Sequence, residues 1–191
     1  MSIFIDRHEL AERKDIINPN LAYGSVKSSD GTSTLGSTND FTLTAPSGYN
    51  YNFWFCKIPL NLSISKGDAI TISAFATLSG PQTTDGLYKA AVYNSGVSMS
   101  FDDTGDTAFL KSGIRSSKTF IANKDSNPND PPVLLIYSGK VGKTGGNTIH
   151  AKEVKVERGA VATPYVPALE DYAMKSDLDA LKAEIEQLKQ K

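Results

Sequence analysis

Aliphatic and polar residues alternate in many short segments between residues 21 and 168, and turn-forming residues separate those segments. The clearest case is residues 69–78, where the aliphatic residues fall at every second position. Side chains of a strand point alternately to its two faces, so this spacing predicts a strand with one face in a core. The predicted core face holds Ile70, Ile72, Ala74, Ala76 and Leu78.

The same kind of pattern predicts further short strands along the chain. They lie at residues 41–44, 49–62, 87–93, 97–101, 118–122 and 132–137, followed by a pair at 148–151 and 153–157. Residues 24–39 are rich in Ser, Thr, Gly and Asp and predict a loop or an edge strand. Short alternating strands without intervening helices are typical of antiparallel sheets packed face to face. We therefore predict an all-β fold, a β-sandwich of the jelly-roll type.

The N-terminal end of the chain differs from this central part. Residues 1–20 carry a small apolar group and then a charged segment that predicts a short helix, which an Asn-Pro pair ends. We interpret this segment as a docking arm, with a disordered terminus as the alternative. The predicted organisation is an arm at 1–20, a β-sandwich at 21–168, and a strap with a coiled coil at 169–191.

The C-terminal end predicts a helix with a coiled-coil seam. Pro164 and Pro167 first predict an extended strap that leaves the sheet. Residues 176–191 then place apolar side chains in steps of three and four, which is the spacing of a coiled coil. The seam positions are Met174, Leu178, Leu181, Ile185 and Leu188.

Charged residues beside this seam favour parallel partners. With Leu178 at heptad position a, Asp177 faces Lys182 of a parallel neighbour, and Glu184 faces Lys189. Antiparallel helices would bring like charges together. The pattern therefore predicts a homo-oligomer of parallel helices, and its core residues leave the number of helices open. The alternative is an amphipathic helix that folds back on its own domain.

Composition excludes several classes of partner. The net charge is -1 and the charged residues are spread along the chain, so no basic surface for nucleic acid or for an anionic membrane is predicted. No apolar run is long enough to span a bilayer, and the first residues lack the apolar region of a signal peptide. The single cysteine, Cys56, is interpreted as a small buried hydrophobic residue.

Motifs for catalysis or cofactor binding are incomplete. Residues 139–144 end in Gly-Lys-Thr, but Tyr137 stands where a phosphate-binding loop requires its first glycine. His8 and His150 have no zinc-ligand spacing. We therefore predict no enzyme activity and no cofactor. Three acidic residues in one loop are weak candidates for calcium or for paired carboxylates, and a solvated acidic turn is the favoured interpretation. They are Asp102, Asp103 and Asp106.

Aromatic residues on polar strand faces suggest saccharide binding, because sugars stack on aromatic rings while polar side chains bond their hydroxyls. Trp54 shares a predicted strand face with Asn52, and Phe75 shares one with Thr71 and Ser73. These five residues are the predicted saccharide site. The alternative for Trp54 is a core position, with the other, aromatic face of its strand turned outward.

The C-terminal third of the chain carries a recognisable series of motifs. They are Leu-Ile-Tyr at 135–137, Gly-Gly-Asn at 145–147, Lys-Val-Glu-Arg-Gly at 155–159 and Ala-Thr-Pro-Tyr-Val-Pro-Ala at 162–168. This series resembles the end of carbohydrate-binding-module-like domains in minor structural and baseplate proteins of phages that infect lactic acid bacteria and related Gram-positive hosts. The resemblance covers residues 21–171.

The resemblance implies a jelly-roll sandwich, a place in the virion at the tail tip, and recognition of host cell-wall polysaccharide. Three-fold symmetry is usual in that setting, so it favours a homotrimer over a dimer. The arm at 1–20 would then contact other phage tail proteins. The alternative function is a structural adaptor that uses the sandwich only for protein contacts.

Overall fold

A computed structural model describes most of the chain between Asn18 and Leu169 and scattered residues after it. The described residues are 18–29, 31, 33–48, 54–81, 90–99, 110–138, 145–169, 171, 180, 183, 185 and 187–189. They form ten strands. These are β1 (Ser25–Ser28), β2 (Thr34–Ser37), β3 (Asp40–Thr44), β4 (Phe55–Pro59), β5 (Ala69–Ser79), β6 (Ala90–Asn94), β7 (Val97–Ser98), β8 (Ile114–Ile121), β9 (Val133–Tyr137) and β10 (Thr148–Arg158).

The ten strands belong to one antiparallel sheet in the order β7-β6-β9-β4-β1-β2-β3-β10-β5-β8. Buried side chains from both halves of this sheet, such as Ile58 and Ile136 on one side and Ile72 and Val156 on the other, form one core cluster. The sheet therefore curls around a single core. The predicted all-β class is confirmed.

Strand β5 has the predicted core face. Ile70, Ile72, Ala74 and Ala76 are at most 2% exposed, because β10 and β8 flank this strand and its aliphatic side chains pack inward. In the first half of β5, the opposite face of the strand is covered as well. There Thr71 Oγ1 donates a hydrogen bond to the carbonyl oxygen of Gly159, where the chain leaves β10 and starts to cross the sheet.

The structure of β10 differs from the prediction of two strands at 148–151 and 153–157, and a β-bulge is the reason. The predicted pair of strands is one strand, whose register shifts between Lys152 and Lys155. At the irregularity Glu153 has a φ of 51°, and its N–H bonds the carbonyl of Asn39. This bulge adds one residue, so that Val154 faces the core on the same side as Ala151.

A second correction concerns residues 24–39, which were predicted as a loop or an edge. They form β1 and β2, and the hydrogen-bonded order places both strands in the middle of the sheet. Val26 and Ser28 are buried. The polar composition misled the prediction because only one side chain in two of a short strand needs to enter the core.

The described residues after Ala168 have helical backbone. They are Leu169, Asp171, Ala180, Ala183, Ile185, Gln187, Leu188 and Lys189. Asp171 fixes the start of this segment to the sheet, since its Oδ1 accepts a hydrogen bond from the N–H of Gly24 at 2.9 Å. Within the described part of the chain, no helix is long and apolar enough to cross a membrane.

The thiol of Cys56 gives a direct test of this core. Cys56 is fully buried, and burial raises the pKa of its thiol to about 12. We expect no reaction with a thiol-specific chromogenic reagent at pH 8 in the native protein and full reaction of one thiol per chain in denaturant, because the thiolate is the reactive form. Rapid labelling of the native protein would contradict the packing of β4.

Candidate functional site

Strands β4, β9 and β6 have apolar side chains on both of their faces. Cys56 and Ile58 of β4 enter the core, so Phe55 and Lys57 point outward. In β9, Leu134 and Ile136 enter the core. The outward residues of this region pack into a second, smaller cluster, which consists of Phe55, Ala91, Tyr93, Val133, Leu135 and Tyr137.

The register of the three strands brings the aromatic residues of this cluster together. Phe55 lies directly opposite Tyr137, and their ring centroids are 5.5 Å apart with planes tilted by 53°. Tyr93 lies opposite Val133 on the other side of β9. Aromatic pairs prefer such tilted contacts, so Tyr137 fixes the orientation of the Phe55 ring.

A groove of about 600 Å³ lies over this cluster, and we call it the outer groove. It is lined by Phe55, Lys57, Tyr93, Ser95, Gly96, Asp130, Pro131, Val133, Leu135 and Tyr137. Tyr137 is only 3% exposed and forms the floor, whereas Phe55 and Tyr93 are partly exposed. Two aromatic side chains are thus accessible from solvent.

Polar groups are held at one end of the outer groove. Ser95 has a φ of 51° and Gly96 a φ of 74°, so together they make the two-residue turn between β6 and β7. The Ser95 hydroxyl donates to Oδ2 of Asp130 at 2.9 Å. Asn94 ties this turn to the following loop: its amide nitrogen donates to the carbonyl of Asp130, and its Oδ1 accepts from the N–H of Asn127. These groups are positioned before any ligand arrives.

The outer groove has the features of a site for saccharides. It combines accessible aromatic rings with hydroxyl, carboxylate and ammonium groups at its edges. Aromatic rings pack against the C–H faces of a sugar, and the polar groups bond its hydroxyls. Its volume lies within the range of about 300–1,000 Å³ that is usual for small-molecule sites.

A buried ion pair lies on the opposite half of the sheet, beneath residues 160–168, which we call the strap. Lys155 and Glu157 have no exposed side-chain surface, and Lys155 Nζ lies 3.3 Å from Glu157 Oε2. Thr163 bonds both carboxylate oxygens through its N–H and its hydroxyl, at 2.9 and 2.6 Å. Lys155 also donates to the carbonyl of Pro164. The pair therefore fastens the strap to β10.

Four of the five predicted saccharide residues are described by the structure, and none of these four lines the outer groove. Trp54 is partly buried and packs against the main core. Thr71 and Ser73 are buried, and the Ser73 hydroxyl accepts a bond from Arg115 at 2.9 Å. Phe75 is partly exposed in β5, and Asn52 lies outside the described residues. A saccharide role for these five residues stays a prediction, and the outer groove is the better-formed candidate.

A signal for the outer groove is present in the sequence. Residues 133–137 are apolar at every position, and Phe55 belongs to a run of alternating aromatic residues. Apolar residues on both faces of adjacent strands require a second covered or ligand-binding surface. Only the register, however, places Tyr93 beside them.

The other predicted sites fall largely outside the described residues. This applies to the acidic residues Asp102, Asp103 and Asp106 and to the seam or flanking residues Met174, Asp177, Leu178, Leu181, Lys182 and Glu184. In the described part of the chain, no group of three His, Cys, Asp or Glu side chains is placed to hold a metal. His150 Nε2 lies 2.8 Å from Oδ1 of Asp40.

No protein-family model matches the chain, and no curated protein gives a significant match. Among solved structures, the chain is similar to the tripod (BppUct-A-L) from the baseplate of bacteriophage Tuc2009, with 16% identity and a TM-score of 0.45. That match covers 81% of this chain, and the chain spans about 60% of the tripod chain.

Two further structures are similar. One is the N-terminal cellulose-binding domain of Cellulomonas fimi β-1,4-glucanase C, with 19% identity over 72% of this chain and 90% of that one, at a TM-score of 0.47. The other is an arabinose-bound α-L-arabinofuranosidase, with 11% identity over 76% of this chain and 25% of that one, at a TM-score of 0.49. The similar structures thus include a chain from a phage baseplate and a carbohydrate-binding domain.

Proposed function

We propose that this chain is a phage tail-tip or baseplate protein whose outer groove binds saccharide on the host cell surface. The observation that carries the proposal is the pair of accessible aromatic rings, Phe55 and Tyr93, beside the fixed polar groups of Ser95 and Asp130. The setting follows from the resemblance of the terminal motifs. The proposal includes no catalytic step.

We also propose that the protein acts as a homo-oligomer. In this proposal, residues 1–20 dock to other tail proteins, 21–168 form a jelly-roll sandwich, and 169–191 form the strap end and a parallel coiled coil, most simply a homotrimer. Its support is that Ile185 and Leu188, two predicted seam residues, are 49% and 70% exposed in the single chain. Linking several weak saccharide sites raises the effective concentration of each, so oligomers bind a cell wall more firmly.

The central test replaces Phe55 with alanine. Because aromatic anchors dominate binding sites, we expect Phe55→Ala to weaken binding to isolated host cell walls by about thirtyfold. Phe75→Ala is the matched control, since Phe75 is also partly exposed but lies in β5, away from the outer groove. Binding is measured by co-sedimentation, and the thermal unfolding of both variants confirms that they are folded.

The opposite result would place the site elsewhere. Loss of binding in Phe75→Ala with full binding in Phe55→Ala would support the site predicted around Thr71 and Ser73 and overturn the outer groove. Full binding by both variants would show that neither the outer groove nor the site around Thr71 and Ser73 binds the cell wall.

The second candidate function is a structural adaptor. It is favoured by the edge strand β8, where Ile114 and Ile121 are 51% and 47% exposed, because exposed apolar residues on a sheet edge suit a protein partner. Hydrogen exchange of the assembled protein discriminates the two. Protection over β8 and around Phe75, without any binding to cell walls, would favour the adaptor.

A further inference from the structure

We infer that the saccharide bound in the outer groove carries negative charge, and that Lys57 and Lys27 recognise it. This inference rests on the proposed function. Lys57 lines the outer groove, and Lys27 of β1 is its direct partner across the strand pair β1–β4. Val26 and Cys56 enter the core, so the two lysines share the outward face of the sheet.

The two lysines are not neutralised by the part of the protein that the structure describes. Lys57 Nζ lies 5.9 Å from the centroid of the Phe55 ring, and Lys27 Nζ donates to the Thr34 hydroxyl at 2.6 Å. Neither makes an ion pair with a described carboxylate. Four lysine or arginine residues in β8 and β10 do have such partners within 3.6 Å. They are Arg115, Lys152, Lys155 and Arg158.

Placing like charges opposite each other works against pairing of the two strands. An anionic ligand removes this repulsion, and it gains charge-assisted hydrogen bonds from the ammonium groups. A sugar that contacts Phe55 lies next to Lys57, because the ammonium group lies over the same ring, 5.9 Å from its centroid. The negative group of the ligand therefore belongs at the β4–β1 side of the outer groove.

The acidic end of the outer groove fits the same arrangement. Asp130 is bonded to Ser95 after β6, and β9 separates β6 from β4. Two strand spacings of about 4.8 Å separate β6 from β4, and Lys57 is level with Ala91, four residues before Ser95. This carboxylate therefore lies more than about 10 Å from Lys57, and Lys27 on β1 is one strand farther away. The separation sets the direction of the ligand, with hydroxyl groups at Asp130 and the anionic group at the lysines. A phosphodiester and a uronic acid carboxylate share this chemistry.

The experiment compares three oligosaccharides of equal length by titration calorimetry with the full chain: a neutral one, one bearing uronic acid, and one linked by phosphodiester. We expect at least one anionic ligand to bind about tenfold more tightly than the neutral one at low salt, because hydrogen bonds between two charged groups are stronger than those to a neutral group. The anionic oligosaccharide that binds more tightly shows whether the recognised charge belongs to a uronic acid carboxylate or to a phosphodiester. Lys57→Gln and Lys27→Gln should lower the anionic-to-neutral affinity ratio toward one, whereas Lys66→Gln, in an exposed turn outside the groove, should keep it.

Several outcomes would overturn the inference. Equal affinity for neutral and anionic ligands overturns the preference for an anionic ligand. An unchanged ratio in both lysine variants overturns the role of Lys57 and Lys27. Both results leave saccharide binding itself intact. Absence of any saccharide binding overturns the proposed function and the inference with it. Tighter binding of a single-stranded oligothymidylate than of every saccharide would assign the rings and lysines to nucleic acid.

Discussion

Replacing Lys155 with methionine is expected to lower the free energy of unfolding by about 3–5 kcal/mol, because it leaves the buried charge of Glu157 without its partner. Both side chains are fully buried, and Thr163 supplies only uncharged hydrogen bonds to the carboxylate. Equilibrium urea unfolding measures the change. The single tryptophan, Trp54, reports unfolding because it packs against the core.

The matched control is Lys152→Met in the same strand. Lys152 is exposed and lies 3.6 Å from Asp40, so its loss should cost less than about 1 kcal/mol. Glu157→Gln should destabilise the protein as Lys155→Met does, since it leaves the buried ammonium group of Lys155 without a charged partner. The double variant Lys155→Met/Glu157→Gln should be less destabilised than the sum of the two single variants. If the losses of unfolding free energy in the two single variants add up to the loss in the double variant, the two groups act independently.

The buried pair gives the terminal motif a physical meaning. Lys155, Glu157 and Thr163 all belong to the series that carries the family resemblance, and they hold the strap on the sheet. Three residues beyond the strap, at Asp171, the chain is fastened again to Gly24. The pair thus helps to fix where the proposed coiled coil leaves the domain, and it contributes nothing to the outer groove.

The parts of the fold that follow from alternation could be predicted. The aliphatic face of β5 required a core partner. In residues 153–157, alternation likewise predicts that Val154 and Val156 share one face, and both are buried. Lys155 and Glu157 could not be predicted as buried. Charged residues on a strand are normally exposed, and only the return of the strap over the sheet removes these two from water.

The candidate site was less predictable than the fold for a related reason. An aromatic residue such as Trp54 has the same local pattern whether its strand face turns toward the core or toward solvent. The pairing of β4 with β9 decides the matter, because it joins Phe55 to Tyr137 on the outward face. Such pairings link residues far apart in sequence, and short-range periodicity does not contain them.

Asn20 is the second position at which a single substitution should have a large effect. Its side chain is 2% exposed and satisfies three backbone groups: Nδ2 donates to the carbonyl of Val154, and Oδ1 accepts from the N–H groups of Ala22 and Val156. Asn20→Ala leaves all three groups buried without these partners. Each unsatisfied group costs about 1–3 kcal/mol, so we expect a loss of about 3 kcal/mol or more.

Asn18→Ala is the matched control, because Asn18 uses its amide for one exposed bond, to the carbonyl of Arg158. Its cost should stay within about 0.5 kcal/mol, as for most surface substitutions. Hydrogen exchange adds a local readout. In Asn20→Ala the amide of Val156 should exchange faster than in Asn18→Ala, since the bond from this amide to Asn20 is lost. Equal stability of the two variants would mean that the hydrogen bonds of the Asn20 side chain are not needed to hold the first residues of the domain to β10.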